Sequence, residues 1–307
     1  MAAQAKTEPA FDGKGLLTLY ASLERGNQLV SSGPDLPSAP SRQAVDRYLS
    51  PRKQALELWK KGLRFRNDDS TLAKEIATRV EAVSIGAANE LKQQSRPFVR
   101  DKKWSEEIAM LTAGIEMLKL AKDISRTDRV VLTVAALLVE RGQSHRQTGD
   151  GLTNLTSAIN DFEEALTLSP TDDNIKQQTA WAYNTRGCNT ENRNSMADFT
   201  RAIELYPQAL LYVNRAVEYL KVSNYDRALE DLAEACQRES KPEYVKMAAS
   251  AYNAKGMSII NKYQHGYGTP SAWELREARD CFANAMQLDP SNSTFRSNYV
   301  TVAAMCH

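Results

Sequence analysis

Histidine and cysteine, the residues best suited to nucleophilic or metal chemistry, are few and widely separated in this sequence of 307 residues. The histidines are His145, His265 and His307, and none has the spacing of a metal site or of a nucleophile and its base. The HGYG run at 265–268 is an isolated turn, and the glycine-rich phosphate-binding signatures do not occur. The sequence therefore predicts no catalytic residue, no metal site and no cofactor, and we expect a protein that is not an enzyme.

The cysteines have no paired spacing either. They are Cys188, Cys236, Cys281 and Cys306, and the first three lie in apolar helical patterns, where a free thiol behaves as a small hydrophobic group. The N-terminus has no signal-peptide core, and no run approaches the roughly 20 apolar residues of a membrane-spanning helix. We therefore expect reduced thiols, a cytoplasmic location and no membrane span.

A short amphipathic phrase recurs through the second half of the chain and indicates its architecture. Its copies are AINDFEEALTLSP at 158–170, MADFTRAIELYP at 196–207, YDRALEDLAEAC at 225–236 and ARDCFANAMQLDP at 278–290. A helix this short cannot bury its own apolar face, so neighbouring copies must stack on one another. The phrase predicts an all-α solenoid, a fold that presents long surfaces to partners.

The repeats resemble the tetratricopeptide repeat family, in which two helices are paired in about 34 residues. One segment meets the family spacing without a gap, at Tyr212, Arg215, Ala216, Tyr219, Tyr225, Ala228, Leu232 and Ala235. The resemblance implies a right-handed solenoid of helix-turn-helix repeats. It extends over 128–307, is weak over 43–123, and leaves the repeat register open around 174–207.

A basic residue followed by a small one recurs in the first helix of each repeat. These pairs are Arg141-Gly142, Arg186-Gly187, Arg215-Ala216 and Lys255-Gly256. The small residue is expected where the two helices of a unit cross closely, because a larger side chain would separate them. We interpret the basic residue as packed along its stem with its charged head at the surface, rather than as one of a row of anion sites.

The chain divides into four predicted regions. They are 1–42, a disordered start with a short helix and a Pro/Ser-rich linker; 43–127, a diverged helical N-terminal region; 128–292, the repeats; and 293–307, a single C-terminal capping helix. The alternative for the last helix is that part of its apolar stripe stays exposed and binds a second copy or another partner.

Local signals set several helix ends. Ser50 and Pro51 read as the cap and first position of a helix, and Arg96-Pro97 reads as the turn between helices at 71–94 and 104–123. Ser271 and Glu274 have the spacing of a capping box that starts the second helix of the last pair.

In the family, the first helix of each unit lines a concave groove. The resemblance places seven residues there: Glu140, Gln143, Asn184, Asn214, Val217, Asn253 and Met257. Side-chain amides suit an extended peptide because each supplies a donor and an acceptor. A solvated helix face with ordinary polar residues is the alternative. The family's clamp for a terminal carboxylate is not expected, because Val139, Ser250 and Ala254 occupy its basic positions.

A second candidate surface is basic. It consists of Lys60, Lys61, Arg64 and Arg66, beside the aromatic residues Trp59 and Phe65. Such a combination is compatible with nucleic-acid contact, although a solvated basic helix face explains it equally well. Lysine and arginine outnumber acidic residues over 42–103, but the net charge of +1 provides no long-range attraction to nucleic acid.

Together these patterns predict a cytoplasmic adaptor or scaffold that binds a protein or peptide in the groove, alone or within a large complex. The alternative is an accessory subunit of a larger assembly whose basic N-terminal half contacts nucleic acid. A third reading, an enzyme that uses the 264–272 loop, would depend on His265.

Overall fold

The computed structural model describes residues 13–63, 71–149, 151–189, 194–264 and 268–306. Within these ranges all regular structure is α-helical, which confirms the predicted class. The helices are α1 Gly13–Ser31, α2 Arg42–Leu63, α3 Thr71–Arg100, α4 Trp104–Ile124, α5 Asp128–Gln147, α6 Leu152–Leu168, α7 Asp173–Gly187, α8 Ser195–Leu205, α9 Ala209–Lys221, α10 Tyr225–Arg238, α11 Pro242–Gln264, α12 Ala272–Leu288 and α13 Ser293–Met305.

The chain forms two compact units, Met1–Ile175 and Lys176–His307. In the first unit α1 packs on α2, α3 on α4 and α5 on α6, and in the second α9 packs on α10, α11 on α12 and α12 on α13. Successive helices are therefore neighbours in space, and each unit is a stack of helix pairs, as the solenoid prediction requires. The predicted division into four regions stays a prediction. None of the described helices is long and apolar enough to cross a membrane.

The first pair, α1 and α2, is closed by a tryptophan. Trp59 is completely buried, and its indole N–H donates to the carbonyl of Leu23 at 3.3 Å. Gly26 lies against the same ring, where a Cβ atom would come within 2.1 Å of the indole nitrogen. The segment between the two helices is anchored on the surface because Leu36 and Pro40 are buried.

The start of α2 differs from its prediction. The helix begins at Arg42, where the Ser41 hydroxyl accepts the Ala44 N–H at 3.2 Å, and Pro51 lies inside it. Buried residues continue on one face before and after the proline, from Tyr48 to Leu56. The free energy gained from this packing exceeds the cost of the one hydrogen bond that proline removes, so the helix continues through Pro51. Ser50 therefore lies inside the helix and is not its N-cap.

The end of α3 also differs. We predicted that the helix stops at 94, before Arg96-Pro97, but it continues through Pro97 to Arg100. A proline in the last turn removes a single intrahelical hydrogen bond, which the helix tolerates. The chain reverses instead at Lys102, which has a left-handed φ of 57°, and Lys103 N–H donates to the carbonyl of Phe98 at 2.8 Å.

Close helix crossing in the repeats is confirmed by three glycines. A Cβ atom on Gly142 would meet the ring of Phe162 at 2.7 Å, and the same holds for Gly187 with Phe199 at 2.7 Å and Gly256 with Phe282 at 2.8 Å. The contact at Gly187 also fixes the register of α7 and α8, which the sequence left open. In the pair α9–α10 the position of the phenylalanine ring is occupied by Leu232, and the position of the glycine is occupied by Ala216, which packs in the same cluster.

The last helix caps the second unit as predicted. Phe295 of α13 is buried with Ala249 and Ala285, and Val302 is buried with Ile259 and Phe282. The opposite face remains in contact with solvent, since Val300 and Met305 are both more than half exposed. α12 begins at the predicted capping box, with the Ser271 hydroxyl accepting the Glu274 N–H.

Candidate functional site

The basic residues before the small crossing residues are the first candidate ligand contacts, and the structure pairs the partly buried heads of the three arginines with carboxylates of the protein itself. Each guanidinium makes a two-pronged ion pair with an aspartate on the second helix of its own pair. The pairs are Arg141 with Asp161 at 2.9 and 2.5 Å, Arg186 with Asp198 at 2.8 and 2.7 Å, and Arg215 with Asp231 at 2.8 and 2.7 Å. We expected these heads at the surface, and they keep only part of that exposure, because a fork of donors matched to a buried carboxylate compensates for the hydration that they lose.

This pairing also rules out the row of anion sites. The hydrogen bonds from the aspartates raise the pKa of Arg141, Arg186 and Arg215 above its ordinary value, against the opposing effect of burial. Each cation is therefore permanently charged and already neutralised. A phosphate or carboxylate ligand would have to displace the internal partner.

The last pair, α11 and α12, is built differently. Lys255 stands before Gly256, and its ammonium donates to Asp226 at 2.8 Å and lies 3.1 Å from Glu277. Cys281 occupies the place that aspartate has in the other pairs, and burial raises the pKa of its thiol to about 11. The buried thiol is therefore protonated at neutral pH and inert as a nucleophile.

Sequence reasoning missed these carboxylates, although a signal was present. In each copy of the recurring phrase the residue directly before the bulky inward side chain fills this place. The four residues are Asp161, Asp198, Asp231 and Cys281. Alignment of the phrases on Phe162, Phe199, Leu232 and Phe282 would have paired them with the basic residues.

Two predicted groove residues line a pocket of about 260 Å³ in the second unit. The lining residues include Asn214 and Val217 of α9, Gly187 and Cys188 at the end of α7, and Phe199 of α8. The pocket thus combines the apolar side chains of Phe199 and Val217 with the amide of Asn214.

Asn214 is held in position by a second predicted residue. Its Nδ2 donates to Oδ1 of Asn184 at 2.7 Å, and Asn184 is buried beneath it. Among the described residues, none donates a hydrogen bond to Oδ1 of Asn214. The amide therefore presents a fixed acceptor at the pocket wall.

The rim of the pocket is polar and electrically balanced. Glu218 accepts from the Ser195 hydroxyl at 3.0 Å and from Lys221 at 2.5 Å. Cys188 lies exposed just after α7, so its predicted place in an apolar helix face was wrong. Desolvation, together with the charge of Glu218, raises the pKa of its thiol, which does not favour a nucleophilic role.

The other predicted groove residues do not join this pocket. Asn253 accepts from Nδ2 of Asn298 at 2.8 Å, and Met257 packs on the cluster that caps the second unit. In the first unit Glu140 forms an ion pair with Lys92, and Gln143 is exposed. The assignment of these four residues to a groove stays a prediction.

The predicted basic surface is only partly described. Lys60 and Lys61 lie on α2, while Arg64, Phe65 and Arg66 fall outside the described residues. Since Trp59 is completely buried, its ring cannot stack on a base. His265 and most of its flanking turn are likewise outside the described residues, and in the described part no group of three acidic, histidine or cysteine side chains could hold a metal ion.

Comparison with known proteins finds similarity at the level of solved structures. No protein-family model and no curated protein matches the chain. A tetratricopeptide repeat protein from Bacteroides fragilis is 15% identical, with a TM-score of 0.39, over 71% of this chain and 98% of its own. YrrB, described as a tetratricopeptide repeat protein with an unusual peptide-binding site, is 12% identical, with a TM-score of 0.31, over 74% of this chain and 97% of its own.

A third solved structure is the TPR2AB domain of yeast Sti1 in complex with pHSP90. It is 15% identical, with a TM-score of 0.27, over 93% of this chain and 98% of its own. Because the sequence identities and TM-scores are this low, the fold is assigned from the helix packing of the chain itself. Paired helices stacked in sequence order, with a glycine or alanine at each crossing in the repeats, make this chain an all-α solenoid of tetratricopeptide-like helix pairs.

Proposed function

We propose that this chain is a protein-interaction module and that its second unit binds an extended segment of a partner protein in the pocket of Asn214 and Val217. The observation that carries the proposal is the fixed acceptor of Asn214, to which no described residue donates, beside the apolar side chain of Val217. In this proposal the chain acts as an adaptor or scaffold in the cytoplasm, and it binds without catalysing a reaction.

An extended peptide presents alternating N–H groups and side chains, and the pocket offers a partner for each. Oδ1 of Asn214 would accept one backbone N–H, while Val217 would contact the neighbouring side chain. Because Asn184 already orients Asn214, little side-chain entropy is lost on binding. The pocket volume of about 260 Å³ lies below the roughly 300–1,000 Å³ of small-molecule sites, which favours one side chain of a larger partner.

The test begins with peptides selected from a random 12-residue display library on the purified full chain. Fluorescence anisotropy then gives Kd for the selected peptides with the wild type, Asn214→Ala and Val217→Glu. We expect each variant to weaken binding at least tenfold. Asn284→Ala, which removes an exposed amide from α12, should bind as the wild type does.

Circular dichroism confirms that the variants fold. Val217→Glu keeps the test decisive if the loss of Asn214 also disturbs Asn184, because Val217 is not part of that hydrogen bond. The proposal is overturned if no peptide is selected, or if the selected peptides bind both variants as tightly as the wild type.

A further inference from the structure

A second concave surface lies on the first unit, between α1 and α2. It has a volume of about 420 Å³ and is lined by Arg25 and Leu29 of α1 and by Lys53, Gln54, Glu57, Leu58 and Lys61 of α2. The charged lining residues of α2 (Lys53, Glu57 and Lys61) recur four apart, so they share one face of that helix. The name basic pocket is used below for these seven residues.

The inner faces of the two helices are already fully used. Trp59 and Gly62 of α2 pack against α1, with Gly62 set close to Leu19 and Ser22. The exposed cations of the basic pocket, Arg25 and Lys61, lie outside this buried contact and are available for another role.

Positive charge dominates the pocket. It contains three cations and a single carboxylate, Glu57. Lys53 lies 3.6 Å from Glu116 of α4, a contact between two substantially exposed side chains. Arg25 and Lys61 are exposed, and no described residue forms an ion pair with either of them. A partner that reaches this pocket meets at least two cations that no described residue neutralises through an ion pair.

The floor between these cations is aliphatic. Leu29 and Leu58 are half-buried, so each leaves part of its side chain open to a ligand. An apolar side chain placed there would lose contact with water, while acidic neighbours on the same segment would meet Arg25 and Lys61. The two features together select acidic residues that flank a leucine-like side chain.

Nucleic acid fits the basic pocket less well. Recognition of a single strand relies on bases that stack on aromatic rings, and among the described residues no aromatic side chain lines this pocket. The neighbouring Trp59 is completely buried. Glu57 in the middle of the α2 face would also repel a phosphate backbone.

We infer that the basic pocket on α1 and α2 is a docking site for an acidic protein segment that carries a large aliphatic side chain. It lies in the first unit and is separate from the Asn214 pocket of the second unit. The chain would thus carry two recognition sites of different chemistry, one for backbone amides and one for acidic–aliphatic sequences.

The probe is a pool of fluorescent 12-residue peptides built from Asp, Glu and Leu in random order, titrated with the full chain and followed by anisotropy. Binding should weaken at least tenfold when serine replaces leucine in the pool. It should also weaken several-fold when the salt concentration rises from 50 to 200 mM, roughly as expected for two or three ion pairs at the surface.

Variants locate the site. Arg25→Glu combined with Lys61→Glu should reduce binding at least tenfold, and Leu58→Gln should do so without a change of charge. Lys74→Glu combined with Lys102→Glu makes the same charge change at exposed positions elsewhere on the unit and should leave binding intact. Asn214→Ala should also bind the pool normally, which separates this inference from the proposed function.

The inference is overturned by any of three results. The first is that the pool does not bind. The second is that it binds the Arg25/Lys61 variant as tightly as the charge-matched control. The third is that a thymine 20-mer binds the wild type, depends on the same residues and outcompetes the peptides, which would assign the pocket to nucleic acid.

Discussion

In the helix pairs α5–α6, α9–α10 and α11–α12, a basic residue on the first helix contacts both the second helix of its own pair and the helix that precedes the pair. The first two pairs use an arginine for these contacts, and the last pair uses a lysine. Arg141 and Arg215 each grip an aspartate of their own pair and donate a further hydrogen bond to a threonine of the preceding helix, Thr112 at 3.1 Å and Thr200 at 3.3 Å. In the last pair Lys255 reaches Glu277 of its own pair and Asp226 of the preceding helix.

The difference follows from the geometry of the two cations. A guanidinium has five donors in a plane, so it can satisfy a buried carboxylate with two of them and still reach a third group. An ammonium is a point charge, and Lys255 divides its hydrogen bonds between two separate carboxylates. The side chain of Asp231 is 6% exposed, whereas that of Asp226 is 75% exposed. The arginine pairs are therefore internal parts of the fold, and the lysine contact is largely a surface contact.

The largest expected effect tests whether the arginine and lysine ion pairs differ in their contribution to stability. Asp231→Ala leaves Arg215 charged and unpaired in a mostly buried place, and we expect the free energy of unfolding to fall by about 3 kcal/mol. Asp226→Ala removes an exposed partner of Lys255 and should lower it by about 0.5 kcal/mol. Urea denaturation of both variants measures the two values, and equal losses would contradict the distinction.

The crossing residues provide the next test. Gly187→Ala pushes a Cβ atom into the ring of Phe199, and we expect a loss of about 2 kcal/mol from overpacking. Phe199→Leu in the same chain should restore part of that loss, because it recreates the Ala216 and Leu232 combination of the next pair. Denaturation of the two single variants and the double variant measures the coupling, and strictly additive losses would refute the steric explanation.

A conversion of the last pair sharpens the comparison further. Cys281→Asp adds a third carboxylate near Lys255. Lys255→Arg introduces a guanidinium without the aspartate that pairs with it in the other helix pairs. We expect the double variant to be more stable than the sum of the single changes by about 1 kcal/mol, a typical coupling between contacting residues. A double-mutant cycle measured by thermal unfolding gives this term. A coupling near zero would show that an aspartate at position 281 of α12 does not form an ion pair with an arginine at position 255.

The smallest effect concerns the start of α12 and depends on pH. Hydrogen bonds from Tyr263 and from Ser271 hold the pKa of Glu274 at about 2, below its ordinary value near 4.5. A lowered folded-state pKa stabilises the fold above pH 4.5 and loses that contribution as the pH falls toward 2. The unfolding midpoints of the wild type and Glu274→Gln should therefore converge over this range. A gap that stays constant with pH would exclude the carboxylate as its source.

Prediction from the sequence succeeded where the signal was local and repeated. The amphipathic phrases gave the repeat helices, and the recurring small residues gave their close crossings. It failed at Pro51 and Pro97, because the local preference of proline competes with apolar faces that continue on both sides. In the candidate site, Asn214 and Val217 came together in one pocket, whereas Asn253 was joined to Asn298, an interaction between residues 45 positions apart.

The sequence by itself determined that this chain forms stacked helix pairs, because the three-and-four spacing of its apolar residues is a property of each helix alone. The partner of each charged side chain was decided only by the tertiary structure. Arg186 and Asp198 are 12 residues apart and Lys255 and Asp226 are 29 apart, and both contacts exist because crossing helices bring those side chains together. The same dependence on helix crossing separates the partly buried, paired arginines of the repeats, which stabilise the fold, from Arg25 and Lys61, which are exposed to solvent.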